Sequence, residues 1–277
     1  MVNIIWRNRA KKFIDNPLAI IPFLKKKLFY NYIADKQIIK YKDCKYLNYT
    51  ETVNEIITNN RSIIRFGDEL FDMLQGIGLY YGNWHQKYDP DLAKRLREVL
   101  KSNDSRILLC FNFELILKSR KEFKEEGIPE QYQFWTNSKM FLKNYLHPGR
   151  LYGSALSFNT KYNPDLNSNE LKQFLEKKNV VIVTSNTERF KDIKLGKTTA
   201  FIDCPTSDAW KQYQLIYDRV IAVVEDNGYA KENVLFLVSL ASTAKILVFD
   251  LAKNGYVAWD TGQFFDLAAK KIKEISS

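Results

Sequence analysis

Residues 62–76 read SIIRFGDELFDMLQG, a segment that sets a glycine and two acids directly after a short β-branched run. Residues 62–66 read as a strand, Gly67 as a sharp turn, and residues 69–74 as the first turns of a helix. Asp68 and Glu69 therefore stand at the carboxyl end of a strand. In open α/β sheets that edge is where ligands bind. Carboxylates there can hold a divalent cation against a phosphate or take a proton from an attacking hydroxyl. The simpler reading of the same spacing is a helix N-terminus that favours acids through its dipole.

Other residues of chemical use recur at predicted strand ends. The run 234–238 (VLFLV) leads into Ser239-Leu240-Ala241-Ser242-Thr243, small and hydroxylated residues at a helix start, suited to an anion through backbone amides and hydroxyls. A plain N-cap would account for Ser242 alone. Thr184-Ser185-Asn186 with Arg189 ends the 180–184 run, Asp203 ends a short strand near Ala200, and Asp260 ends the last one. Arg150, in the turn His147-Pro148-Gly149-Arg150, offers a guanidinium able to pair bidentately with a phosphate.

Those positions must be carried by strands alternating with helices. Residues 106–111, 180–184 and 234–238 are nearly unbroken apolar runs, the mark of strands buried on both faces. Residues 256–259 read as a final strand. Helices are predicted over 51–59 with Thr50 as cap, over 90–101 with Asp89 as cap and Pro90 at the first position, over 119–146 with a break at 127–129, and over 208–227 and 242–254. The order predicts a Rossmann-like α/β domain, a mostly parallel sheet with helices on both faces. We place that domain at residues 61–277, after a basic, aromatic-rich helical segment at 1–60.

Composition bounds the function. The 277 residues are 45% hydrophobic, enough for one large core. Cys44, Cys110 and Cys204 are too few and too scattered for a disulfide framework or a zinc site, and His85 and His147 cannot build a multi-histidine metal centre. Charge is uneven: residues 1–50 hold 11 Lys and Arg against 3 acids, so +8 of the formal +10 lies there. The cations alternate with Trp6, Phe13, Ile20, Ile21, Phe23, Leu24, Leu28, Phe29 and Tyr30, a mixture that suits an anionic membrane surface or an amphipathic helix with a solvated basic face. The apolar run 17–24 is far too short to span a bilayer, and no signal-peptide cleavage site follows it. We expect a cytoplasmic protein, peripheral at the inner face of the membrane. No recognition helix or RNA-binding signature is present, so nucleic acid is not an expected partner. Dinucleotide, P-loop and nucleophile-elbow fingerprints are all missing.

The segment 62–76, the stretch from Gln86 to Leu96, Ile202-Asp203-Cys204-Pro205, and residues 239–260 followed by Thr261-Gly262 occur in an order that resembles the GT-D glycosyltransferases of bacteria over about residues 62–267. The resemblance implies transfer of a hexose from a nucleotide sugar, UDP-linked, to a glycan or lipid-linked acceptor in surface polysaccharide or glycoprotein biosynthesis. It implies Asp68 and Glu69 as catalytic and metal-binding acids with manganese or magnesium. Arg65, Gly67, Arg150, Arg189, Asp203, Ser242, Thr243 and Asp260 would then serve the nucleotide sugar. Two departures stand out: the family's Asp-x-Glu is here Asp68-Glu69-Leu70, and its glycine and proline at the second turn are Ala241 and Ser242. The rival readings are a catalytically silent relative that binds a partner, and another nucleotide-dependent α/β transferase such as a methyltransferase.

Overall fold

The structure, a computed structural model, describes residues 11–81, 84–166, 168–190 and 194–262, with 265, 268 and 270. Trp6 of the basic segment lies outside the described residues. The chain divides into two compact units that interleave in sequence: the residues up to Tyr46 with Phe66–Asn103 and Asn112–Leu151, and Leu47–Arg65 with Asp104–Phe111 and everything from Tyr152 on.

The second unit carries the sheet. Its strands are β1 (Ser62–Arg65), β2 (Ile107–Phe111), β3 (Leu151–Ser154), β4 (Asn179–Thr184), β5 (Thr198–Asp203), β6 (Val234–Ser239) and β7 (Val257–Asp260). They lie in the order β3-β2-β1-β7-β6-β4-β5, and every neighbouring pair is parallel. The α/β, mostly parallel architecture expected from sequence is therefore the one observed. The apolar runs form the middle: β2, β6 and β7 expose almost nothing, as strands covered on both faces must.

Helices α1 (Tyr49–Thr58), α2 (Ser168–Leu175), α3 (Tyr213–Asp226) and α4 (Ala241–Lys253) cover this sheet. Asn48, not Thr50, caps α1, in a reciprocal capping box with Glu51; the Thr50 hydroxyl instead donates to Asn163. Helix α4 packs against β1, β6 and β7. It is apolar nearly all round, and ten of its residues are buried, so it is a core helix rather than a surface one. On strand β7 the fully buried Trp259 indole stacks on Phe174 of α2 and donates to the Arg61 carbonyl at 3.0 Å.

Among its described residues the first unit adds to its helices one antiparallel hairpin, Leu79–Tyr81 with Trp84–Gln86, and the two-residue strand Lys45–Tyr46. Its short helix Leu70–Leu74 packs on the helices Pro90–Lys101 and Tyr132–Phe141. Asp89 caps the helix Pro90–Lys101 as the sequence predicts, accepting from the amides of Asp91 and Leu92 at 2.9 and 3.0 Å. Residues 17–41 are a run of helical turns whose inward side chains include the buried Ala19, Ala34 and Tyr41.

Candidate functional site

In the first unit the acids sit where the chain turns out of β1 into the helix Leu70–Leu74. A β-carbon at Gly67 would fall on the Glu69 carboxylate, so the missing side chain is what lets that carboxylate fold back across the turn. Asp68 lies beside it. Burial, then the neighbouring charges of Glu69 and Asp72, push the Asp68 carboxyl up to about 7, with Lys26 pulling the other way. Asp72 accepts from Lys26 at 3.3 Å and from the Asn137 amide at 2.7 Å. Three carboxylates thus crowd one turn, with the Lys26 ammonium set against Asp72. Acids at this density hold a proton near neutrality or attract a cation.

Among the described residues no group of three or more His, Cys, Asp or Glu is arranged to hold a metal by itself. A magnesium- or manganese-type ion does not require one. It is commonly bound through one or two carboxylates together with substrate phosphates, and the Asp68–Glu69 pair fits that donor set.

In the second unit the sheet order creates a switch point. The chain leaves β4 outward to β5 but leaves β6 inward to β7, and right-handed crossovers in opposite directions fall on opposite faces. The crevice outside the carboxyl ends of β4 and β6 is where such sheets bind ligands. Thr184 and Ser239 are paired at that edge. Arg189 follows in the turn Thr187–Phe190, its guanidinium 5.5 Å from the Phe190 ring. Helix α4 opens just after Ser239 with Leu240 as its N-cap residue and no side-chain cap. Ser242 therefore does not cap the helix. Ala241 has a φ of 47°, the left-handed conformation glycine adopts freely and alanine resists; the alanine here bends as a glycine would. Ser242 and Thr243 are buried, and the Thr243 hydroxyl has no hydrogen-bond partner among the described residues.

Asp260 and Arg65 come together, in an unexpected arrangement. One Asp260 oxygen accepts from the Arg65 backbone amide at 3.1 Å and from Lys245 of α4 at 3.4 Å, and both ionic partners are almost fully buried. The Arg65 guanidinium donates to the carbonyls of Ala155 and Thr261. It lies against Gly262, where a β-carbon would come within 2.9 Å of Nη1 and φ is 55°. These groups tie the ends of β1 and β7 together. Asp203 is exposed at the end of β5, its carbonyl accepting from Arg219 at 2.9 Å.

Arg150 belongs to the first unit. It donates to the Ser102 carbonyl, while His147 contacts the Lys101 carbonyl at 3.1 Å, so both sit at the C-terminal end of the helix Pro90–Lys101, where a cation suits the dipole. Three contributors escaped the sequence reading: Lys245, Lys26 and Asn137. Lys245 left a trace, because one lysine in the run LASTAKILVF calls for a buried acid.

A mostly parallel α/β sheet with a switch point is a fold this chain shares with known proteins. Residues 63–267 match the model of the glycosyltransferase GT-D fold. The chain belongs to that family of glycosyltransferases. It is 29% identical over 248 residues to the probable glycosyl transferase Gly of Streptococcus gordonii, covering 82% of this chain and 34% of that protein. It is 27% identical to the glycosyltransferase GlyD of Streptococcus pneumoniae serotype 4, covering 76% of this chain and 26% of that protein. The chain thus spans about a third or less of the curated relatives it matches. Among solved structures, a domain of unknown function 1792 described as having a distinct glycosyltransferase fold superposes with a TM-score of 0.68 at 24% identity, over 89% of this chain and 86% of that one. A glycosyltransferase of the same domain type from Streptococcus sanguinis gives 0.62 at 23% identity, over 84% and 86%.

Proposed function

We propose that the chain transfers a hexosyl group from a UDP-linked sugar to a glycan or lipid-linked acceptor, in the assembly of a surface polysaccharide or glycoprotein. The observation that carries this reading is the crowding of Asp68, Glu69 and Asp72 at the turn after β1, in a chain of this family. The names of the streptococcal relatives support the reaction class; the donor and acceptor are our reading.

In the first unit, Asp68 and Glu69 are the proposed holders of a manganese or magnesium ion. Such an ion would neutralise the charge that builds on the departing diphosphate. An Asp68 carboxyl that exchanges its proton near neutrality also suits acceptance of the acceptor hydroxyl's proton. Gly67 serves by leaving room for the Glu69 carboxylate, and Asp72, fixed by Lys26 and Asn137, keeps the local field negative.

In the second unit, the proposed diphosphate contacts are the opening turn of α4, with Ser242 and Thr243, and the Arg189 guanidinium. Helix amides and a cation stabilise charge that develops only as the bond breaks. Asp203 is the proposed partner of a donor hydroxyl. Arg65 and Asp260 hold the strand ends in register behind that edge. Arg150, bound to the end of a helix, takes a supporting part.

A panel of nucleotide sugars, assayed for donor hydrolysis with and without manganese, tests class, sugar and metal together. Turnover of a UDP-hexose that manganese stimulates is the expected result. Turnover of none of the donors, with or without acceptor extracts, would remove the proposal.

A further inference from the structure

We infer that the outward face of the N-terminal helical turns seats on an anionic lipid surface. Ile14, Leu18, Ile21, Leu28, Phe29 and Tyr32 are all exposed, Ile14, Leu18 and Tyr32 by more than 70%. Positions 18, 21, 25, 28 and 32 are exposed while 19, 22, 26, 30 and 34 are partly or fully buried, so the first set lies on the side turned away from the unit. The opposite side is pinned to the first unit. Ala19 and Ala34 are buried there, Asn16 donates to the Gly76 carbonyl at 2.7 Å, Lys26 pairs with Asp72, and the Tyr41 hydroxyl donates to the Lys139 carbonyl at 2.8 Å. The segment is therefore a fixed part of its unit, and its apolar side is a standing surface. A contiguous exposed patch of this kind marks an interaction site.

Charge selects the occupant. Lys11, Lys25, Lys27, Lys36 and Lys40 are exposed, whereas two of the three acids in residues 1–50 are engaged: Asp15 by Tyr80 and Lys87, and Asp35 by the Arg120 amide at 3.0 Å. Cations thus stand among the apolar side chains on the open side. A second copy of the same face would set these exposed lysines against their like, and like charges facing one another repel. An anionic bilayer offers opposite charge and an apolar interior in one surface. Among the described residues no helix is long and apolar enough to cross a membrane, so the segment would lie in the interface plane. For a transferase this would place the chain beside a lipid-linked acceptor; the lipid contact itself does not depend on the donor chemistry, and its test reads binding, not turnover.

The full chain is sedimented with vesicles of phosphatidylcholine alone and of phosphatidylcholine mixed with phosphatidylglycerol. Binding to the mixed vesicles, weak binding to the neutral ones, and release as salt is raised are expected. The exposed double substitutions Leu28→Glu with Phe29→Glu, and Lys25→Glu with Lys27→Glu, should each weaken binding by roughly tenfold or more, with thermal unfolding unchanged as the check on folding. The inference is overturned by three results: absence of binding to the anionic vesicles, binding indifferent to both double variants, or a concentration-dependent dimer that the Leu28/Phe29 variant abolishes while no lipid is bound.

Discussion

The two units treat buried charge in opposite ways. In the second, Asp260 is matched by Lys245 and by a backbone amide, all out of contact with water. In the first, Asp68, Glu69 and Asp72 crowd one turn, and the Lys26–Asp72 pair there keeps partial exposure. The closed pair fixes a geometry: it ties α4 to the end of β7 beside the switch point. The surplus of negative charge does the reverse, making the folded state carry a cost that a bound cation or a transferred proton would relieve. Strain of this sort persists where function uses it.

Breaking the closed pair should have the largest effect. Lys245→Met leaves Asp260 buried with its charge unmatched, and loss of one partner of such a pair costs about 3–5 kcal/mol; urea unfolding of the full chain measures it. Relieving the surplus should do the opposite. The folded Asp68 carboxyl titrates near 7, above its unfolded value of 3.8. Its contribution to stability is therefore complete below the unfolded value and is lost as pH rises through about 7. Asp68→Asn should raise stability at pH 8 by on the order of 1–2 kcal/mol, flatten that pH dependence, and cut donor turnover by about 10²–10⁴-fold.

A smaller effect is expected at the α4 turn. Ala241→Gly removes the cost of a left-handed alanine and should stabilise the fold by about 1 kcal/mol, read as a rise in the unfolding midpoint. The smallest belongs to Lys26→Met. The Lys26–Asp72 pair is partly solvated, so stability should fall by about 1 kcal/mol or less. The same change removes a charge that holds the Asp68 carboxyl down, so the pH midpoint of the activity profile should move upward. An unmoved profile would separate Lys26 from the acid cluster.

How much of this was written in the chain varies with the physics behind each element. Apolar runs such as ILLCF and VLFLV declare buried strands by composition alone, and Asp89-Pro90 declares a helix start. Strand β3, with the sequence LYGS, has no such run. Its Gly153 is fixed by packing, because a β-carbon there would strike Cys110, Leu108 and Thr52. Helix α2 was also hidden: Leu171, Phe174 and Leu175 are its only apolar residues, and Trp259, on which Phe174 stacks, is 85 positions away in sequence. Local propensity cannot register a contact of that range. Asp68 and Glu69 were visible from their place after a strand and a glycine. Their electrostatic setting was not, since Lys26 and Asn137 reach Asp72 from 46 and 65 positions away. Arg65 and Asp260 were found as polar strand-end residues; the lysine that compensates Asp260 showed only as an oddity in an apolar helix.

The contrast between the units is tested most directly by following the carboxyl carbons of metal-free protein by NMR as pH is raised, with Asp68→Asn to assign the resonance. Half-protonation of Asp68 near pH 7 is the expected result. A midpoint near 4, that of an ordinary exposed aspartate, would contradict it.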